Sequence, residues 1–214
     1  MKVADIMSTD VVTVSPTTSL KNVARLLVEH RISGVPVVDD DGVVLGVVSE
    51  GDVLFKERGA LAPRRVLSWL LDGSGDDART KLDARTAAEA MTSPAQTIES
   101  WPLVSSAAAR MLDQHVNRLP VVHNERLVGI VTRADLVRAF IRSDGDIETE
   151  LRELVRRLLL PDMGEVEIEA TEGDIVLTGQ VERRSDAEIV TRRASSVPGV
   201  VSVESRVTWR EDER

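Results

Sequence analysis

The stretch Gly46-Val47-Val48-Ser49-Glu50-Gly51-Asp52-Val53 occurs a second time, as Gly129-Ile130-Val131-Thr132-Arg133-Ala134-Asp135-Leu136. No other feature constrains the fold as strongly. Each copy has a glycine, two apolar residues, a hydroxyl residue, and an aspartate three positions beyond the hydroxyl. Upstream, Val35-Pro36-Val37-Val38 answers Leu119-Pro120-Val121-Val122, and Asp5-Ile6-Met7 answers Glu89-Ala90-Met91, both at an offset of 84 residues. The aspartates are offset by 83, so one residue is lost in the turn at 123–126. A register held through three separated blocks marks an internal duplication.

Each copy reads as β-α-β-β-α. In the first, residues 10–14 form a short β-branched strand closed by Ser15-Pro16. Ser19 is placed to cap a helix carrying Leu20, Val23, Ala24, Leu26 and Leu27, which ends between Arg31 and Gly34. Strands follow at 35–38 and 43–48 around the turn Asp39-Asp40-Asp41-Gly42, with a second helix starting near Asp52. In the second copy the spacing predicts a strand at 96–98, a helix over 103–115, strands at 119–122 and 127–131, and a helix over 134–141. Residues 55–87 read as an insertion between the copies. It contains an amphipathic helix at 64–71 and a loose stretch at 72–77. Trp69 on that helix reads as a packing contact within its own module, with a dimer contact as the alternative.

After Gly145 the pattern changes to α-β-β-α-β. Leu151, Leu154, Val155, Leu158 and Leu159 share one helical face, and Pro161 stops the helix. Strands are expected at 166–170 and 175–181, a helix at 186–195, a turn at 197–199 and a last strand at 200–204, before an acidic tail at 211–213. Charge follows the same division. Of the net −9, residues 1–143 carry −1 and residues 144–214 carry −8. An acidic C-terminal third is repelled by DNA and by anionic lipid surfaces.

Composition excludes several function classes. There is no cysteine, so disulfides, thiolate metal sites and cysteine nucleophiles are ruled out. Aromatics make up 2% with no tyrosine, which removes the stacking platforms of a single-strand nucleic-acid binder. His30, His115 and His123 have no metal-ligand spacing, and the Asp39–Gly42 run lacks the distal glutamate of a calcium loop. No Ser-His-Asp set, P-loop or G-x-G-x-x-G is present, so the chain reads as non-enzymatic. The N-terminus lacks the apolar run of a signal peptide, and a cytoplasmic location is the default.

The duplicated unit resembles the CBS domain, through G-V-P-V-V-D at 34–39, R-L-P-V-V at 118–122 and the two G-x-x-S/T-x-x-D endings. The last ~65 residues resemble a BON domain, through Thr178-Gly179-Gln180-Val181 and Pro198-Gly199-Val200-Val201-Ser202-Val203. The implied organisation is α+β. It comprises a CBS repeat at 1–56, a helical insertion at 57–87, a second CBS repeat at 88–142 and a BON-like domain at 146–210, the repeats packing as a pseudo-symmetric pair. The first resemblance implies a regulatory module whose cleft accepts an adenine nucleotide (AMP, ADP or ATP), with no required cofactor and no metal. It also implies a homodimer formed through the pair.

Two unequal sites are implied. A carboxylate at a helix start can bind both hydroxyls of a ribose, and the adjacent hydroxyl residue and helix N-terminus suit a phosphate. The alternative for Asp52 and Asp135 is plain helix capping. By resemblance, the better site comprises Ser49, Asp52, Gln96, Val116, Asn117 and Arg118, and the doubtful one Val12, Ile32, Ser33, Thr132, Arg133 and Asp135. Arg118 supplies a guanidinium for phosphate where its counterpart is Gly34. The functional expectation is a sensor that signals through dimer packing and the BON-like domain. A ligand-free dimerising protein whose BON-like domain docks on a membrane or partner protein is the alternative.

Overall fold

The fold is set by where backbone hydrogen bonds can and cannot be made, and two prolines decide the first case. In the computed structural model, which describes residues 1–58, 83–159 and 164–211, the expected strand at 10–14 reduces to one parallel bridge, Val14 with Val37. Val14 N–H donates to Pro36 O, and Val38 N–H donates to Val14 O. The next rung of a parallel ladder needs an N–H from residue 36, and proline has none. Pro120 stands at the equivalent place in the second copy. There, too, the first strand is short: β3 (Ile98–Glu99) pairs only Ile98 with Val121 and Glu99 with Val122. The helix expected at 64–71 with Trp69, the loose stretch at 72–77, the stop at Pro161 and the end of the acidic tail lie outside the described residues.

The described residues form two compact units, each assembled from separated parts of the chain. One comprises 7–100 and 114–131, and the other 1–6, 101–113 and 132–214.

In the first unit, α1 (Leu20–His30) is capped by Ser19, whose Oγ accepts the Asn22 N–H, and it buries Leu20, Val23 and Leu27. It stops at Arg31, which turns left-handed at φ 53°. β1 (Gly34–Val38) and β2 (Val44–Ser49) form an antiparallel hairpin. Asp39 Oδ1 holds its turn by accepting from Asp41 N–H and Val43 N–H, and Gly42 supplies φ +80°. α2 (Glu50–Arg58) begins two residues earlier than expected, and α3 (Ala87–Ala90) follows. β3 lies beside β4 (Arg118–His123), which pairs with β5 (Arg126–Thr132).

The two copies exchange their leading segments within this unit. Thr92 pairs with Val47 of the first copy's second strand, and Ser8 pairs with Ile130 of the second copy's. The repeated glycines make this possible. A Cβ on Gly46 would lie 2.5 Å from Met91 Sδ and 2.9 Å from Thr92 O, and one on Gly129 would lie 2.6 Å from Met7 Sδ and 3.0 Å from Ser8 O. Glycine is required there so that each methionine can lie across the other copy's strand. The unit's core is Val14, Val23, Leu27, Val35, Val37, Val48 and the alanines of 84–90.

In the second unit, α4 (Val104–Asp113) and α5 (Arg133–Phe140) are joined by an α-β-β-α-β run. Its elements are α6 (Asp144–Leu158), β6 (Gly164–Thr171), β7 (Asp174–Arg183), α7 (Arg184–Ala194) and β8 (Ser202–Glu211). The sheet order is β6-β7-β8, antiparallel then parallel. Ile147, Leu151, Ile168, Leu177, Val190 and Val207 form its core. β8 starts later and runs seven residues further than the expected 200–204. The Pro198-Gly199 turn continues until Val201 N–H bonds to Gly173 O, and the strand beyond is amphipathic with only Val207 buried.

The junction at 142–148 is structured. Ser143 Oγ caps α6, and Arg142 donates to Glu150 Oε2 at 2.6 Å, to Asp146 O at 3.2 Å and to Pro198 O at 3.5 Å. Burial pushes the Glu150 carboxyl up. Hydrogen bonds from the N-terminal ammonium and Arg142 outweigh this and hold it below its ordinary value. A lowered folded-state pKa stabilises above the unfolded value of about 4.3, and that contribution is lost as pH falls through the lowered value. Glu150→Gln is therefore expected to lower stability by about 1–2 kcal/mol at pH 7 and by progressively less as the pH falls through the lowered value, measured by urea unfolding across a pH series.

Candidate functional site

The two aspartates of the duplicated stretch are held identically. Asp52 Oδ2 accepts from Ser49 N–H at 2.8 Å and from Ser49 Oγ at 2.7 Å, while Asp52 N–H points back to Ser49 Oγ at 3.4 Å. Asp135 Oδ2 accepts from Thr132 N–H at 2.8 Å and Thr132 Oγ1 at 2.6 Å. These are reciprocal caps, formed because each strand passes directly into a helix whose first N–H groups need acceptors. The hydroxyl hydrogens of Ser49 and Thr132 thus go to carboxylates, not outward as the phosphate role expected of them requires. The copies differ in burial. Asp135 is buried and its Oδ1 takes Arg138 Nη1 at 3.0 Å, so both of its oxygens are engaged. Asp52 is half-buried at the start of α2.

Arg118 opens β4 and is 8% exposed. Its Nη2 donates to Ser33 Oγ at 2.7 Å. Its Nη1 is buried and, among the described residues, has no hydrogen-bond partner. The Nη1 end of the guanidinium abuts Gly34: a Cβ there would be 1.4 Å from Nη1 and 2.5 Å from Cζ. Gly34 and Arg118 are equivalent positions of the two copies, so one copy lacks the side chain whose space the other copy's arginine fills. Burial pushes the guanidinium down from the ordinary arginine value, and the charges of Glu50 and Asp52 push it back up.

The remaining expected residues differ in exposure. Gln96 and Asn117 are exposed, Val116 is half-buried, and Val12 and Ile32 pack half-buried on the core around Val23. Arg133 is exposed at the first position of α5. Ser33, expected beside Asp135, is instead bonded to Arg118, which was expected in the other site. Glu50 was missed. Its signal lies in the duplication itself, where Glu50 aligns with Arg133 and reverses the local charge.

Two families are found on comparison with known proteins. Residues 3–59 and 87–142 match the CBS domain. The chain belongs to the CBS-domain family. Residues 143–211 match the BON domain. The CBS pair is 32% identical over 148 residues to the CBS domain-containing protein CBSX1, chloroplastic, of Arabidopsis thaliana, covering 64% of this chain and 63% of that one. The chain thus spans under two thirds of that relative's length. A crystal structure of CBSX2 in complex with AMP superposes with a TM-score of 0.55 at 29% identity, covering 64% of this chain and 94% of that one. The CBS pair of MJ0100 in complex with 5′-methylthioadenosine and S-adenosyl-L-methionine gives a TM-score of 0.51 at 27% identity, covering 65% and 95%. Among the described residues, no helix is long and apolar enough to cross a membrane, and no group of His, Asp and Glu could hold a metal ion.

Proposed function

We propose that the CBS pair binds an adenine nucleotide at the Asp52–Arg118 site and acts as a regulatory module. The observation that carries this reading is the guanidinium of Arg118, buried with one nitrogen unpartnered and resting on a glycine. A buried charge with incomplete hydrogen bonding is costly, and an anionic ligand that completes it is favoured. Nη1 is covered by Gly34, so a phosphate takes the guanidinium by drawing it off β1 and away from Ser33. Binding and a change at β1 are then one event, and the ligand shifts the pair by its differential affinity for the two positions. The ribose falls to Asp52, whose carboxylate is already oriented by Ser49. The Asp135 site is the weaker candidate, since its carboxylate is buried and the residue equivalent to Arg118 is Gly34. The change passes onward through homodimer packing and the BON-like domain.

Isothermal titration with AMP, ADP and ATP tests this. Heat is expected with at least one nucleotide, and Asp52→Ala is expected to weaken that affinity about tenfold or more, the value of one charge-assisted hydrogen bond. Asp135→Ala is expected to change it less than threefold. The absence of heat with all three nucleotides overturns the reading.

A further inference from the structure

β8 leaves one edge open. It pairs with β7 on one side, and among the described residues no other strand or backbone group bonds to its far side. Its ten residues contain neither proline nor glycine, and the pairing with β7 holds one register throughout. A long, regular, open edge is a template for another strand, and natural edges are commonly guarded with proline, bulges or like charges. The charges on this edge are of both signs, and one oppositely charged pair is arranged symmetrically, while Arg206 and Glu211 mirror uncharged residues.

About Val207, Glu204 is mirrored by Arg210 and Ser205 by Trp209. If two copies of β8 run antiparallel with Val207 at the centre, Glu204 of each faces Arg210 of the other across the ~5 Å of a directly opposed pair, where each can exchange or share its exposed partner within the chain, Arg206 for Glu204 and Glu182 for Arg210. On the opposite face of the strand, Trp209 of each then faces Ser205 of the other. An open groove of about 430 Å³ lies there, between α7 and β8, lined by Glu188, Thr191 and Arg192 from the helix and by Ser205 and Trp209 from the strand. Trp209 is 41% exposed, with the Arg184 guanidinium 5.7 Å from its ring centroid. The helix repeats the symmetry. Glu188, paired at 3.0 Å with Arg184, and Arg192 lie one turn apart on the groove, so a two-fold axis brings each Glu188 towards the other copy's Arg192 as a second partner. Arg192 has no ion-pair partner of its own among the described residues.

We propose that β8 is a self-association edge, through which two copies of this chain join their three-stranded sheets into one six-stranded sheet centred on Val207. Strand hydrogen bonds and burial of the two indoles supply the affinity. Exposed ion pairs add little energy, but they set the register, because a shift by one residue moves every side chain to the other face.

The cysteine-free sequence allows a direct test on the full chain. Glu204→Cys and Arg210→Cys proteins are prepared separately, checked for native circular dichroism, and oxidised alone and as an equal mixture. The mixture is expected to give at least tenfold more cross-linked dimer than either variant alone. In this register, two copies of the same cysteine lie about 20 Å apart along the strands. No cross-linking in the mixture, or equal cross-linking in the separate variants, overturns the proposal.

Discussion

Gly179→Ala is expected to lower the unfolding free energy by about 3–5 kcal/mol, read as a fall in the urea midpoint at unchanged m-value. Gly179 lies inside β7 opposite Val166, at φ +127°. A Cβ there would sit 2.1 Å from Glu165 O and 3.2 Å from Val166 Cα. Backbone strain in that region costs about 1–3 kcal/mol, and an overlap with a carbonyl adds about as much, since no side-chain rotation relieves it. The strand must move, and it carries the buried Leu177 and Val181. Gly42→Ala separates the two costs. Gly42 also has a positive φ, +80°, but an added Cβ there meets nothing within 4 Å, so about 1 kcal/mol is expected. Equal losses at the two positions would show that the overlap at Gly179 is relieved at no cost.

That glycine also shows where sequence reading succeeds and where it stops. The Thr178-Gly179-Gln180-Val181 run was legible as part of a BON domain, but the need for glycine comes from a carbonyl fourteen residues away on β6. Local chemistry was read correctly where it is self-contained: Ser19 capping α1, the hairpin turn at Asp39–Gly42, Leu151 and Val155 on the buried face of α6. The leading strands were read too long because β-branched residues at 10–14 favour extension whether or not a partner can bond to them, and Pro36 cannot. β8 was read too short because only Val207 of its later residues is buried, so its alternation carries little apolar signal. At the candidate site, the duplication identified Asp52, Asp135, and the opposition of Arg118 to Gly34. It did not reveal that these last two touch, because that contact joins residues far apart in sequence. The hydrogen bond to Ser33 that accompanies it spans 85 residues.

Arg118→Met is expected to raise stability by about 1–2 kcal/mol while lowering nucleotide affinity at least tenfold. The wild-type guanidinium is taken out of water against Gly34 and recovers one hydrogen bond, to Ser33. Methionine has a similar reach and a flexible, apolar stem, so it can lie on the same glycine without the desolvation cost. Little is lost in exchange. Ser33 is exposed and its hydroxyl returns to water, Glu50 is exposed as well, and Asp52, half-buried, keeps its two bonds from Ser49. The ligand, in contrast, loses a buried cation. Arg118→Lys separates charge from shape. It keeps the cation but not the planar fork, so it is expected to retain part of the affinity and none of the stability gain. Arg118→Ala opens a cavity over Gly34 and is expected to destabilise. Thermal unfolding and titration calorimetry on the same four proteins read both quantities. If Arg118→Met destabilises by more than about 1 kcal/mol and leaves nucleotide affinity unchanged, Arg118 is a structural group, and the strain attributed to its burial does not exist.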